Sequence, residues 1–266
     1  MSDFDRNAAT AQYGRPLTRA EAAVVDQGMR AYMLRIYNYM VLGLAITGLA
    51  ALGIYMLSVT GDVALAAKPL TRVSGGYLTQ FGYTLFRTPL VYVVIFAPLA
   101  LVFFLSYRIN SMRPATAQIT FWIYAALVGV SLGSIFLVYT HTSIVRVFFI
   151  TAASFGALSL WGYTTQRDLT GMGSFLIMGL FGIIIASLVN VFLGSSMLQW
   201  VISVVGVLVF AGLTAYDTQR LKSEYIYGAM EGDVLECSAI MGALSLYLDF
   251  LNLFTMLLQL MGQRDE

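Results

Sequence analysis

Two aspartates and an arginine are the residues of this chain least at home in their surroundings. Asp249 lies in Leu244-Ser-Leu-Tyr-Leu-Asp-Phe-Leu-Asn-Leu-Phe254, and Asp217 follows Phe210-Ala-Gly-Leu-Thr-Ala-Tyr216. Arg108 ends a third apolar stretch. Two carboxylates brought together away from water cannot both ionise cheaply, so they titrate as one unit in two macroscopic steps. A guanidinium beside them favours the charged form. That competition makes a switch: one arrangement holds Arg108 on Asp217, and another shares a proton between the aspartates and frees the arginine. Each needs a different packing of the segments involved, so pH can bias the conformation. Open carboxylates also suit a hard cation such as Ca²⁺, which takes oxygen ligands. Asp217 and Asp249 are the candidate metal ligands.

The elements that must position these groups follow from composition. The 266 residues are 59% hydrophobic and 11% charged, against about 25% charged in a soluble domain. A soluble chain of this size lacks the polar surface to cover so much apolar area. A helix crossing roughly 30 Å of hydrocarbon needs about 20 apolar residues. Seven such runs occur, at 36–59, 88–107, 115–138, 144–163, 172–193, 198–216 and 237–261. The chain is therefore read as an all-α integral membrane protein, a seven-transmembrane-helix bundle. Residues 1–35 form a tail with a juxtamembrane helix, 36–262 the membrane domain and 263–266 a short end. Connections are short except at 60–87 and 217–236.

Asp217 closes the sixth run and Asp249 interrupts the seventh. At 3.6 residues per turn, Gly242, Ser245, Asp249, Asn252, Met256 and Gln259 form one stripe. Ser245 and Asn252 are thus the candidates to line a route beside Asp249. Against this stands a structural reading for each site residue. Asp249 can glue helices by hydrogen bonding, Asp217 can be solvated at a helix end, and Arg108 can be a positively charged anchor. Asn190 reads as the polar end of a packing seam, Pro98 as a kink, and His141 as a solvated loop residue.

Charge sets the expected orientation. With the N-terminus inside, Arg6, Arg15, Arg19, Arg30, Arg35, Arg108, Arg113, Arg167, Arg220 and Lys222 fall on the inner side. Lys68, Arg72, Arg87, Arg146 and Arg264 fall outside, ten against five. The positive-inside bias therefore puts the N-terminal tail in the cytoplasm and the C-terminus outside. Thr18 and Glu21 fit a capping box that opens a helix leading into the first span.

Other chemistries lack their residues. A net charge of +1 leaves no basic field to draw nucleic acid. One cysteine, Cys237, and one histidine, His141, cannot build a Cys/His metal site. No cofactor is expected, and no enzyme. Tyr216-Asp217 matches a dipeptide of intramembrane aspartyl proteases, but Leu246-Tyr-Leu-Asp249 lacks the glycines of their second signature. There is no Gly-x-Ser-x-Gly for a serine protease either.

Ala215-Tyr-Asp-Thr-Gln-Arg-Leu221 together with Ala243-Leu-Ser-Leu-Tyr-Leu-Asp-Phe-Leu-Asn-Leu-Phe254 resembles the transmembrane Bax inhibitor motif family, in its bacterial branch. The likeness extends over nearly all of residues 25–262. It implies a bundle with the seventh helix at its centre, in the bacterial plasma (inner) membrane. It implies that Asp217 and Asp249 form a pH sensor, that Arg108 latches Asp217 in the closed state, and that the activity is a pH-sensitive Ca²⁺ leak. A second role implied by the family is that of an interaction protein, modulating a partner such as a membrane-bound quality-control protease. Some members carry an acid midway along the second helix. Here that stretch is Val94-Ile-Phe-Ala-Pro-Leu-Ala100, which leaves Asp217, closing the sixth run, and Asp249, within the seventh, as the acids of the expected spans.

Overall fold

Backbone amides in hydrocarbon must be satisfied within their own segment, so apolar runs of this length become helices. The computed structural model describes residues 19–228 and 232–265, and eight α-helices occur among them. They are α1 (Arg19–Ser58), α2 (Gln80–Arg87), α3 (Leu90–Arg108), α4 (Pro114–Leu132), α5 (His141–Thr164), α6 (Thr170–Leu193), α7 (Ser196–Gly228) and α8 (Gly232–Met261). All but the short α2 are long and apolar enough to span a membrane, with α4 continued by a 3-10 turn at Gly133–Leu137. Thr18 of the expected capping box lies outside the described residues.

The seven spans match the seven apolar runs, and three helices run well past them. At 1.5 Å per residue, the 40 residues of α1 extend about 60 Å, and the 33 and 30 residues of α7 and α8 about 50 Å and 45 Å. The expected long connection at 217–236 is therefore helical almost throughout. α7 continues to Gly228, and α8 starts at Gly232, whose backbone is left-handed at φ +57°. Because of these extensions, the spans also carry acids that the apolar runs do not: Asp26, Glu224, Asp233 and Glu236.

α8 is the central helix. More than half of its most apolar window is buried (56%), against 11% for α3 and 17% for α6, which face outward. It is enclosed by α1, α4, α5 and α7. The core around it holds Ile36, Leu105, Phe121, Leu246, Tyr247 and Phe250. Phe121 and Tyr124 both meet the Tyr247 ring edge-on, at 5.7 and 5.8 Å.

The expected loop at 60–87 is built. Strands β1 (Val59–Thr60), β2 (Arg72–Val73) and β3 (Gly76–Leu78) form an antiparallel sheet in the order β1-β3-β2. Val59 pairs with Leu78 and Arg72 with Tyr77. The turn from β2 to β3 needs a residue at φ +87°, which Gly75 supplies, and a Cβ there would strike the Tyr55 hydroxyl. The aromatic stretch after the sheet is helix α2, capped by the Thr79 hydroxyl, which accepts from Gly82 N–H.

The C-terminal end is bolted to this same face. Asp265 N–H donates to Val138 O (3.0 Å), Thr140 N–H to Gln263 O (3.0 Å), and the Ser74 hydroxyl to Asp265 Oδ2 (2.7 Å). His141 opens α5 as an exposed residue, its ring against Tyr55 (4.9 Å) and Phe136 (5.7 Å). Sheet and C-terminus thus share one face. The start of α8 lies at the other, where Cys237 donates its thiol to Met112 O at 3.6 Å.

Candidate functional site

Seven consecutive residues of α7, 216–222, all make side-chain contacts, and between them these reach α5, α6, the α5–α6 connection and α8. Tyr216 packs over Gly173 of α6. Thr218 shares a hydrogen bond with Ser159 of α5 (2.9 Å), and Ser159 in turn bonds the Tyr37 hydroxyl of α1. Gln219 clamps the α5–α6 connection, accepting from Leu169 N–H (2.8 Å) and donating to Arg167 O (2.7 Å). Leu221 lies against Gly242 of α8. Lys222, counted in the sequence as an inner-side charge, is buried and donates to Tyr163 O at 3.1 Å. Opposite this stretch, Gly162 of α5 meets the backbone of Ala215 so closely that no side chain fits between them.

Asp217 and Arg220 complete the set, and they turn toward α8. Asp217 is 9% exposed and its Oδ1 lies 3.4 Å from Arg220 Nη1. Arg220 Nη2 donates to the Ser245 hydroxyl of α8 at 3.3 Å. Arg220 Nε lies 3.4 Å from Glu224 Oε1, without the alignment of a hydrogen bond. One turn beyond Ser245 on α8, Asp249 is 5% exposed, and its Oδ2 has no hydrogen-bond partner among the described residues. The charges of Asp217 and Arg220 act on Asp249. The structure therefore brings Asp217, Asp249 and Ser245 into one cluster. The extension of α7 and α8 past the apolar runs makes this possible, since neither aspartate is near a helix end.

Arg108 does not join them. It is exposed at the end of α3 and makes no ion pair among the described residues, so the latch implied by the resemblance is not formed in this structure. The cation on Asp217 is Arg220. The signal was present in the spacing: Arg220 stands three residues after Asp217 and four before Glu224, the separations at which helical side chains meet. Asn252 turns its amide back to Leu248 O on its own helix (2.9 Å). Among the described residues, no three His, Cys, Asp or Glu side chains gather as a metal cluster. The oxygens at hand for a cation are those of Asp217, Asp249 and Ser245.

Two further polar groups fall outside the site. Asn190 ends a packing seam: its Oδ1 accepts from Ser195 N–H (3.0 Å), and its Nδ2 donates to Gln199, which donates to Gln259 of α8. Asp168, between α5 and α6, accepts the side chain and N–H of Thr170, and these bonds hold its carboxyl below the usual carboxylate range.

The chain matches the family described as "Inhibitor of apoptosis-promoting Bax1" over residues 29–266. It is 43% identical to the inner membrane protein YbhL of Escherichia coli over 239 residues, 89% of this chain and 93% of that one. It is 44% identical to a protein of Rickettsia prowazekii over 249 residues, 94% and 96% of the two chains. A membrane protein of Streptococcus pyogenes is 42% identical over 68% of this chain and 78% of its own. With a family match over nearly nine-tenths of its length, these relatives and seven apolar spans, the chain belongs to the Bax inhibitor family of multi-pass membrane proteins.

Proposed function

We propose that this protein is a pH-sensitive cation leak of the bacterial inner membrane, with Ca²⁺ as the passing ion and the Asp217–Asp249 pair as its sensor. The observation that carries the reading is Asp249, a buried carboxyl midway along the central helix with an unpartnered oxygen and a second carboxyl close by. An acid at such depth costs about 2.5–3.5 kcal/mol on insertion scales, and residues of this kind mark ion and proton routes. Carboxylate and hydroxyl oxygens are the ligands a hard divalent cation takes. Protonation of the pair removes both the attraction for the cation and the hold on Arg220, so the two states favour different packings of α7 against α8. The excess of Lys and Arg favours the cytoplasmic side for the end of α7 and the start of α8.

The test is Ca²⁺ entry into liposomes containing the purified protein, from mildly acidic to mildly alkaline pH. Flux that varies with pH in the wild type, and loses that variation in Asp217→Asn and Asp249→Asn, is the expected result. Arg108→Ala belongs in the same series. A rise in its leak assigns Arg108 to a latch formed in another conformation, and an unchanged leak leaves the charge balance to Arg220. Folded protein that passes no Ca²⁺ at any pH overturns the reading and sends the search to a bound membrane protein.

A further inference from the structure

Arg220 has a geometry that neither the motif nor the resemblance assigns. Its guanidinium is shared between two carboxylates at equal range, 3.4 Å to Asp217 Oδ1 and 3.4 Å to Glu224 Oε1. Tight charge-assisted contacts are about 2.7–2.9 Å, so neither partner holds it closely. The two acids differ in setting: the Asp217 side chain is 12% exposed and that of Glu224 43%. A third contact, from Nη2 to Ser245, ties the group to α8 one turn from Asp249. The groups facing the guanidinium are thus Asp217 and Glu224 of α7, Ser245 and Asp249 of α8, and Tyr32 of α1, on which the charges of Arg220 and Glu224 both act.

We propose that Arg220 is the built-in counter-cation of the Asp217–Asp249 site and that Glu224 is its second seat, to which it withdraws when a metal cation enters. The inference rests on the leak reading above and names the residues that regulate it. A cation approaching Asp217 and the unpartnered oxygen of Asp249 meets a guanidinium already there, and two cations cannot share those carboxylates without repulsion. Glu224 lies seven residues, about two turns, from Asp217 and thus on the same face, nearer the surface. Swinging toward it, Arg220 gives up Asp217 without leaving its charge unpaired. The same swing draws Nη2 from Ser245, whose hydroxyl oxygen then faces the entering cation. Arg220 and Glu224 are positioning residues: they set how readily the carboxylates are vacated.

The two residues, four apart on one helix face, therefore have opposite effects on the leak. The experiment is Ca²⁺ flux at neutral pH in liposomes holding the full chain, with Arg220→Gln, Arg220→Lys and Glu224→Gln beside Asp217→Asn and Asp249→Asn. Arg220→Gln should raise flux about tenfold, the factor that corresponds to 1.4 kcal/mol. Glu224→Gln should lower flux by a similar factor, because Arg220 then settles on Asp217. Arg220→Lys keeps the charge but not the three-armed contact, and should raise flux less than Arg220→Gln. Glu224 is at the surface, so its variant keeps the fold. Equal flux in wild type, Arg220→Gln and Glu224→Gln, with the pH response of flux still lost in the aspartate variants, overturns this proposal and leaves the leak intact. Absence of flux in every variant overturns both.

Discussion

Thr47 of α1 and Tyr247 of α8 are joined hydroxyl to hydroxyl at 2.6 Å in the middle of the bundle. Thr47 also donates to backbone oxygens, Gly43 O within its own helix and Ala125 O on α4, each at 2.9 Å. One threonine thus ties three spans together. It can do so because lipid offers no competing partner and each buried hydroxyl must find a protein acceptor. The central helix is registered against α1 here, on a different side of the helix from its contact with Arg220 at Ser245.

Tyr247→Phe removes that tie and little volume. The loss of one buried hydrogen bond should cost about 1–2 kcal/mol, read as a lower thermal unfolding midpoint in detergent. The pH dependence of flux should not change, since residues two apart on a helix do not face each other and the phenol turns to α1, away from the Asp249 stripe. A variant as stable as wild type would show that the bond contributes nothing to registering the helix.

Gly162→Leu attacks the seam on which Asp217 depends. The added side chain has only the Ala215 backbone to meet, so α5 and α7 must part. Overpacking of this kind costs about 1–3 kcal/mol. The expected outcome is a lower unfolding midpoint and impaired flux together, whereas Gly156→Leu, at a position with open space around it, should leave both near wild type.

Asp249→Asn should stabilise the protein while disabling it. The wild-type carboxyl is buried with an unpartnered oxygen beside Asp217, and two such carboxylates cannot both ionise cheaply. Removing the charge should raise the unfolding midpoint at neutral pH and abolish the pH response of flux. A destabilised Asp249→Asn would reassign the residue to holding the helices together.

Asp168 gives a pH dependence of known sign. Its carboxyl is held below the usual range by bonds to Thr170 at the start of α6. Its contribution is complete above the unfolded carboxyl's titration range, near pH 4, and is lost as pH falls through the lower, folded value. The protection of the first-turn amides of α6, taken relative to their intrinsic exchange at each pH, should therefore hold constant down to that range and fall below it. In Asp168→Asn it should be low throughout.

The spans were legible because hydrocarbon demands long apolar runs and nothing else in the chain supplies them. The stripe through Ser245 and Asp249 was legible from helical period alone. Helix length was not: hydropathy stops at Tyr216, but α7 runs on to Gly228, because Gln219, Arg220 and Lys222 find protein partners in place of water. For the same reason Arg220 reads in the sequence as one more inner-side charge, and its contact with Ser245 depends on how α7 and α8 are set against each other. Two-residue strands such as β1 and β2 carry no periodicity to detect. The exposed position of Arg108 depends on where α3 leaves the bundle, and a terminal arginine looks alike in either place.

The tether of the C-terminal end bears on how the central helix can move. Asp265, Gln263 and their partners on the sheet face fix α8 at one end, while its other end, at Gly232, lies away from them. Any displacement that keeps those bonds is a swing about the tethered end, with an amplitude that grows along the helix. Asp249 lies 12 residues from Met261, about 18 Å along the axis, and Ser245 about 6 Å farther. Such a swing carries Ser245 farther than Asp249, so the hydroxyl that grips Arg220 travels more, and the carboxyl serves as the slower-moving arm of a door hung from the tethered rim.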